Sequence, residues 1–282
     1  MTAQFPISNR SAGVTVLKLG GELIETPADR ARTADAVAAL AGSSPLVVVH
    51  GGGRSIDAEL ARRGIEPVKR DGIRVTDDAT LETVIAVLAG LANTTLVAAL
   101  VARGVRAVGL TGADDGLGTC ERVTGMETVS GAVVDPGLVG RPIGPARTAL
   151  IETLCDAGYV PVIASIGIGG AALGIGGAAL QGPRSADLLN VNADVMAAHL
   201  AAALNASRLL VAGATPGVLD AAGKPIAALD APALDALVSD GTATAGMIAK
   251  LRACREARNA GVTDVRIVDG RTGRFDAGTE LR

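Results

Sequence analysis

The feature of this sequence that most constrains its fold is a regular alternation of two kinds of segment. Short runs rich in Val, Leu and Ile alternate with longer runs rich in Ala and Leu, and glycine turns follow several of the short runs. Runs that are apolar at every position predict strands buried on both faces, and the longer runs predict the helices that cover them. The sequence therefore predicts an α/β fold with a mostly parallel central sheet.

Six strands and seven helices are expected along the chain. The strands are expected at residues 14–19, 46–49, 105–110, 160–164, 209–212 and 265–268. The helices are expected at residues 28–41, 54–63, 78–103, 147–158, from Asn192 or Asp194 to about residue 205, 232–238 and 246–259. Residues 121–139, rich in glycine and β-branched residues, predict an antiparallel excursion from the main sheet.

Composition excludes several classes of function. The chain of 282 residues has a net charge of −3 with Trp 0, Tyr 1 and Phe 2, which argues against nucleic-acid binding by phosphate contacts and base stacking. Three scattered cysteines and two histidines, His50 and His199, do not have the spacing of a zinc site. A reducing cytoplasm is the expected compartment, since the first 13 residues lack the pattern of a signal peptide.

An uncharged stretch and a sequence duplication fall in the same region. Residues 159–183 carry no charge, but seven glycines and two prolines interrupt them, so we expect a strand and a loop rather than a membrane span. Within this stretch the heptad GIGGAAL occurs at residues 167–173 and again at 174–180. The duplication favours a duplicated loop, and a functional lid is the alternative.

Two glycine turns follow the first two expected strands. Gly20 and Gly21 end the first, and HGGG at residues 50–53 ends the second. Backbone N–H groups in such turns, together with the start of the following helix, suit a phosphate group. Neither turn has the spacing of a P-loop or of a dinucleotide-binding fingerprint. Either turn alone could be purely structural, whereas two at one sheet edge favour a ligand site.

Four polar positions could carry chemistry, and each has a simpler explanation. Lys18 ends a buried strand, where it would meet an anion or extend to solvent. Arg74 could bind a carboxylate bidentately or lie on the surface. Asn192 or Asp194 could be a helix cap. Lys250 lies one turn into a helix, where it would face an anion or be an ordinary exposed lysine.

Nine motifs occur in an order that resembles the N-acetylglutamate kinase branch of the amino-acid kinase family. The resemblance extends from about residue 14 to residue 270. The motifs, in chain order, are KLGG, HGGG, DGIRVTD, LTGADDG, VDPGLVG, AGYVPVIASIG, LNVNAD, PGVLD and GMIAK. The combination of HGGG, GIRVT, NVNAD and GMIAK is far more specific than any of its parts.

The resemblance implies a fold, a reaction and a division of the chain. The fold would be an amino-acid kinase-like three-layer sandwich with a mostly parallel central sheet. An acyl-amino-acid-binding lobe would span about residues 13–185 and an ATP-binding lobe about residues 186–282. The enzyme would use ATP and Mg²⁺ to phosphorylate the side-chain carboxylate of N-acetyl-L-glutamate in arginine biosynthesis.

The resemblance also implies site residues. Lys18 and Lys250 would stabilise the phosphoryl group in transfer, and Asp194 would orient both lysines. The acyl amino acid would be bound by Gly52, Gly53, Arg74 and Asn190, with Arg74 on its α-carboxylate. ATP would contact the amides of Gly20 and Gly21 and a segment formed by Gly213, Ala214, Thr215, Pro216, Gly217, Val218 and Leu219. No protein metal site is expected, since Mg²⁺ would sit mainly on the ATP phosphates.

Departures from the family pattern define the alternatives. Gly213 and Ala214 stand where the family usually has Thr or Ser followed by Asp, and the connection before NVNAD is unusually long. These departures leave open a kinase of another acyl amino acid, such as carrier-linked aminoadipate or glutamate, or a non-catalytic sensor. The short N-terminal arm and C-terminus predict a homodimer, paired through the helix at residues 78–103, without strong arginine inhibition. No nucleic-acid or membrane partner is expected.

Overall fold

A computed structural model describes residues 13–128, 131–170, 188–239, 241, 243 and 245–282 of the chain. The N-terminal arm, most of the duplicated GIGGAAL segment and the expected lobe boundary near residue 185 lie outside the described residues.

Eight of the described strands form one central sheet. They are β1 (Thr15–Leu19), β2 (Leu46–His50), β5 (Ala107–Thr111), β10 (Val160–Ala164), β13 (Arg208–Gly213), β14 (Ala228–Leu229), β15 (Asp264–Asp269) and β16 (Gly278–Leu281). Their order across the sheet is β14-β16-β15-β13-β1-β2-β10-β5. Strands β5, β10, β2, β1, β13 and β15 are parallel, whereas β16 is antiparallel to β15 and parallel to β14. The mostly parallel sheet is confirmed.

Helices cover both faces of this sheet, and the side-chain alternation along β1 shows why. Val16 belongs to the core on one face, which includes Met196 and Leu251, whereas Leu17 belongs to the core on the other face, which includes Val37 and Leu96. The helical bounds are α1 (Pro27–Ala41), α2 (Gly53–Arg62), α3 (Asp78–Ile85), α4 (Asn93–Val101), α5 (Ala149–Asp156), α6 (Ala193–Ala203), α7 (Ala231–Ser239) and α8 (Ala245–Asn259). The three-layer sandwich is therefore confirmed.

Small strands outside the main sheet build the rim of the cleft. Strands β3 (Lys69–Arg70) and β4 (Ile73–Arg74) form an antiparallel hairpin. The antiparallel excursion contains four strands, β6 (Thr119–Arg122), β7 (Met126–Glu127), β8 (Val133–Val134) and β9 (Val139–Pro142). Strands β6 and β9 join β11 (Ile166–Gly169) and β12 (Leu188–Val191) in a small closed sheet.

The long helix expected at residues 78–103 is continuous but not uniform. It runs as α3, a π-helical segment over Ala86–Ala92, and α4, and it ends at Val101. This helical run is long and apolar enough to cross a membrane by length and composition alone. In the fold it contributes Leu81, Leu96 and Leu100 to the interior.

Side-chain caps explain where the helices of the cleft begin. The Asp77 carboxylate accepts a hydrogen bond from the Thr80 amide at 2.8 Å and starts α3. The Asn192 side chain accepts from the amides of Asp194 and Val195 and starts α6. Asn192 is therefore the cap, which leaves the Asp194 carboxylate available for another partner.

Candidate active site

The two glycine turns meet at the carboxyl ends of neighbouring parallel strands. Leu19 of β1 is in register with His50 of β2, so the turns that follow these strands lie side by side. A Cβ on Gly21 would lie 2.7 Å from the Cα of Gly52, a distance that real Cβ atoms do not reach. Glycine at position 21 is thus required by the close approach of the two backbones, as expected where N–H groups converge on a ligand.

Lys18 and Asp194 form a buried ion pair at this edge of the sheet. Lys18 is 6% exposed and Asp194 is 7% exposed, and Lys18 Nζ lies 2.8 Å from Asp194 Oδ1. Lys18 shares the face of β1 that α6 covers, and Asp194 lies in the first turn of α6. Of the two possibilities for Lys18, the structure shows the one in which it meets an anion.

Lys250 approaches the same place from α8. Its Nζ lies 4.0 Å from the position that a Cβ on Gly213 would occupy, at the end of β13. Burial raises the pKa of the Cys254 thiol, one turn along α8, and the charge of Asp194 raises it further, while Lys18 and Lys250 oppose the shift. The charges of Asp194, Lys18 and Lys250 therefore all act on the Cys254 thiol, which places the three predicted catalytic groups in one region of the fold.

Glu22 is a carboxylate in this region that the sequence did not single out. Its side chain folds back over Gly20, where a Cβ would lie 2.6 Å from the carboxylate carbon. Its Oε1 accepts a hydrogen bond from the Ala214 amide at 3.2 Å and lies 3.5 Å from the Cβ position of Gly213. Glu22 thus bridges two turns predicted to bind nucleotide, and its place directly after the Gly20–Gly21 turn was the only available signal.

Arg74 is held on the other side of the cleft by two partners. Its Nη1 lies 2.6 Å from Asp57 Oδ1, and its Nη2 donates to the carbonyl oxygen of Gly53 at 3.1 Å. Thr76 Oγ1 donates to the Arg74 carbonyl oxygen and accepts from the Asn190 side chain at 3.0 Å. Arg74, Gly53 and Asn190 are therefore linked, and Asp57 is a second residue that sequence reasoning missed.

One cleft contains many of these groups, but Lys250 and the segment at residues 213–219 are not among its lining residues. Its volume is about 1070 Å³, at the upper end of the range of about 300–1,000 Å³ typical of small-molecule sites. Ile56, Leu88 and Val191 are among its apolar lining residues. The predicted site residues that line it are Lys18, Gly20, Gly21, Gly52, Gly53, Arg74, Asn190 and Asp194.

The surroundings of the segment at residues 213–219, which is predicted to contact nucleotide, differ between its two ends. Gly213 lies beside Glu22 and Lys250, and the Ala214 amide donates to Glu22. By contrast, Val218 is buried and its amide donates to Thr279 Oγ1 at 2.8 Å. Gly217 has a φ of +126°, and a Cβ there would strike Thr279. Ala214, which is partly exposed, is therefore better placed than the buried Val218 for contact with a ligand.

His50 supports the HGGG turn from behind rather than facing the cleft. It is fully buried, its Nε2 lies 3.1 Å from Asn93 Nδ2, and its Nδ1 lies 3.2 Å from the Gly51 carbonyl oxygen. Burial lowers the pKa of His50 to about 4, so the ring is neutral near pH 7. Within the described residues, no group of three or more His, Cys, Asp or Glu side chains is arranged to hold a metal ion.

Glycine turns, two lysines and a carboxylate near the carboxyl edge of a parallel sheet are typical of a phosphoryl-transfer site. The chain belongs to the amino acid kinase family, whose model matches residues 13–269.

Sequence relatives show the same family. The chain is 37% identical over 283 residues to the acetylglutamate kinase of Novosphingobium aromaticivorans, a match that covers 96% of this chain and 88% of the relative. It is 40% identical over 273 residues to the acetylglutamate kinase of Sphingopyxis alaskensis, covering 94% of this chain and 85% of the relative. These names agree with the resemblance seen in the motifs and do not favour the alternatives.

A solved structure shows the same fold. The structure of smu.665 from Streptococcus mutans UA159 matches with a TM-score of 0.74 at 24% sequence identity, over 95% of this chain and 98% of that one. The central sheet and its two helical layers are therefore shared with an experimentally determined structure.

Proposed function

We propose that this protein is an ATP-dependent kinase that converts N-acetyl-L-glutamate to N-acetyl-L-glutamyl 5-phosphate, a step of arginine biosynthesis. The names of the sequence relatives, at 37% and 40% identity over nearly the whole chain, support this reaction. The observation that carries it is the pairing of Lys18 with Asp194 beside two touching glycine turns. This arrangement supplies fixed positive charge and N–H groups where a phosphoryl group would pass.

The acyl amino acid occupies the side of the cleft formed by Arg74, Asn190, Gly52 and Gly53. Arg74 presents its remaining N–H donors to the α-carboxylate, since a guanidinium has five donors in a fixed plane. The Asn190 amide and the backbone of the HGGG turn complete the polar contacts. The proposed division near residue 185 into an acceptor lobe and a nucleotide lobe is approximate, because Asn190 joins the acceptor side and Gly20 and Gly21 join the nucleotide side.

ATP occupies the opposite side, with its phosphates at Gly20, Gly21, Gly213 and Ala214. The side-chain carboxylate of the substrate attacks the γ-phosphorus as the bond from that phosphorus to the β,γ-bridging oxygen breaks, and ADP departs. The nucleophile is already ionised near pH 7, so the reaction needs no general base. Lys18 and Lys250 stabilise the negative charge spread over the transferred group, and Asp194 fixes Lys18.

Mg²⁺ accompanies the ATP phosphates in this proposal. The carboxylates of Glu22 and Asp194 lie on the phosphate side of the cleft, and hard oxygen donors of this kind suit Mg²⁺ together with substrate phosphates. When bound, Mg²⁺ neutralises charge on the phosphates. The protein's own part is to hold Lys18, Lys250 and the glycine amides around the reacting group.

Acceptor selectivity tests the proposal. ADP release would be measured with MgATP and, in parallel, N-acetyl-L-glutamate, L-glutamate, N-acetyl-L-aspartate and N-acetyl-L-aminoadipate. The proposal expects the highest kcat/KM for N-acetyl-L-glutamate. Preference for the longer acetylaminoadipate would contradict it, and so would ATP binding without turnover of any of the four acceptors.

Homodimerisation and a cytoplasmic location complete the proposal. The helical run from Asp78 to Val101 carries an exposed apolar face in the isolated chain, with Leu91 63% exposed and Val101 54% exposed. Pairing this face with its copy buries those side chains in a symmetric interface.

The free, buried cysteines Cys120, Cys155 and Cys254 suit a reducing compartment.

A further inference from the structure

A single carboxylate, that of Asp57 on α2, joins two cations at the rim of the acceptor side. Asp57 Oδ1 lies 2.6 Å from Arg74 Nη1, and Asp57 Oδ2 accepts a hydrogen bond from Lys69 Nζ at 2.6 Å. The site assignments above give Asp57 no role. Its two oxygens are each committed to a different positively charged side chain, which is unusual for a residue serving only solubility.

The hairpin geometry explains why a carboxylate is needed there. Lys69 and Arg74 are cross-strand partners in the β3–β4 hairpin, and like charges directly opposite each other destabilise a strand pair. Partial burial acts to raise the pKa of Asp57, but the hydrogen bonds and charges of Lys69 and Arg74 hold it below its usual range. Asp57 is therefore ionised near pH 7 and ties the hairpin to α2.

The same contact fixes the orientation of the Arg74 guanidinium. The Arg74 side chain is only 6% exposed, and its two terminal nitrogens face different partners, Asp57 on one side and the Gly53 carbonyl on the other. A guanidinium held at both ends loses little further freedom when it binds a carboxylate. Its uncommitted N–H donors are left for a ligand in the cleft, which Arg74 lines.

We propose that Asp57 is a positioning residue that aligns Arg74 with the α-carboxylate of the acceptor, and so makes the enzyme select acylated amino acids over acylated amines. The inference rests on the proposed function, because it assumes an acceptor whose α-carboxylate meets Arg74. It concerns selectivity rather than the phosphoryl-transfer step, which lies on the opposite side of the cleft.

The test compares two acceptors that differ only in the α-carboxylate. N-acetyl-L-glutamate has it, and 4-acetamidobutyrate lacks it but keeps the carboxylate that is phosphorylated. We expect Asp57→Asn to lower kcat/KM for N-acetyl-L-glutamate by about tenfold to a hundredfold, mainly through KM, as when an oriented group loses its support. The kcat/KM for 4-acetamidobutyrate should stay within about twofold of the wild-type value. The ratio of the two values is independent of the folded fraction of the variant.

Two further variants make the result specific. Glu59→Gln removes a carboxylate from the same helix, where Glu59 pairs with Arg62 and Arg63 on the surface, and should leave the ratio unchanged. In an Arg74→Ala background, Asp57→Asn should cause no further loss with N-acetyl-L-glutamate. Equal losses for both acceptors, or no loss for either, would overturn the proposed role of Asp57.

Calorimetric binding of N-acetyl-L-glutamate separates this inference from the proposed function. One outcome is that the wild-type protein binds N-acetyl-L-glutamate, that the affinity falls about tenfold or more in Asp57→Asn, and that neither protein turns the substrate over. This outcome would support the role of Asp57 and contradict only the proposed reaction. A wild-type protein that does not bind N-acetyl-L-glutamate would overturn both.

Discussion

The two lysines predicted to take part in phosphoryl transfer have different surroundings. Lys18 is paired with Asp194 at 2.8 Å, whereas Lys250 has no ion-pair partner within 4 Å among the described residues. Lys18 is therefore fixed before any ligand arrives, whereas Lys250 is available for the phosphates that we propose to bind beside it. The motifs identify both lysines, but they do not show that, in the described part of the chain, only Lys18 has an ion-pair partner. Asn192 caps α6, which leaves the Asp194 carboxylate available for Lys18.

Replacing Lys250 with Ala should reduce kcat far more than it changes acceptor binding. A preorganised cationic donor at a developing charge contributes enough that its loss costs about 10²–10³ in rate. Steady-state kinetics with N-acetyl-L-glutamate and MgATP measure the effect. Lys224→Ala removes an exposed lysine elsewhere and is the matched control. A loss of less than about fivefold in Lys250→Ala would exclude Lys250 from the transition state.

Glu22→Gln should strengthen the binding of ATP measured without Mg²⁺. The Glu22 carboxylate holds the Ala214 amide, so it competes with phosphate for that donor and repels it. A like charge a few ångströms away contributes on the order of 1 kcal/mol in partly exposed surroundings, which corresponds to a Kd lowered by about fivefold. Calorimetry in the presence of a chelator measures it, with Glu25→Gln as the control. Weaker ATP binding by Glu22→Gln would show instead that the carboxylate assists the nucleotide.

At the scale of elements, strand and helix positions were predictable because burial on both faces leaves an unmistakable apolar pattern. The expected strands at residues 46–49 and 160–164 correspond to β2 and β10. The short strands β14 and β16 were not predicted, since two to four residues give no periodicity to detect. The π-helical segment over Ala86–Ala92 is likewise invisible in a helical pattern of small apolar residues.

His50 of β2 is buried against Asn93 of α4, and the free energy of unfolding should therefore depend on pH. Burial lowers the pKa of His50 from 6.5 to about 4, so the unfolded chain binds more protons than the folded one between these values. The stabilisation is fully present above pH 6.5 and is lost as the pH falls towards 4, by on the order of 3 kcal/mol. Urea unfolding at pH 7.5 and pH 5 measures it.

The variant His50→Gln isolates this contribution from those of other titrating groups. It should be less stable than the wild type at pH 7.5, because the contact with Asn93 is disturbed, but its stability should fall less between pH 7.5 and pH 5. Equal pH dependence in the two proteins would mean that His50 is not buried as a neutral ring.

At the scale of the whole molecule, the cleft is lined both by turns at the edge of the central sheet and by the small strands outside that sheet. Strands β1 and β13 are neighbours at the centre of the main sheet, which brings Lys18 and Gly213 to the same edge. Sequence motifs identified groups on both sides, because Lys18, Arg74 and Asn190 each lie within a short characteristic motif. Glu22 and Asp57 escaped notice, because their partners Ala214 and Arg74 are distant in sequence and only the folded chain brings them together.

If the exposed face of the helical run forms the proposed homodimer interface, one charged substitution on this face should dissociate the dimer. Leu91→Glu places a carboxylate at the centre of the proposed interface, where it would be buried without a partner, and should give monomers in sedimentation velocity. Val133→Glu is the matched control, since Val133 is also an exposed apolar residue but lies on the β7–β8 hairpin. A dimer that persists in Leu91→Glu would place the interface elsewhere.

Trapping the acyl phosphate tests the central claim most directly. The protein would be incubated with MgATP, N-acetyl-L-glutamate and hydroxylamine, and the hydroxamate would be located by fragmentation in a mass spectrometer. The account predicts a hydroxamate on the side-chain carboxyl that requires ATP and falls to background in Lys250→Ala. No hydroxamate above background from a protein that binds both ligands, or a hydroxamate on the α-carboxyl, would contradict it.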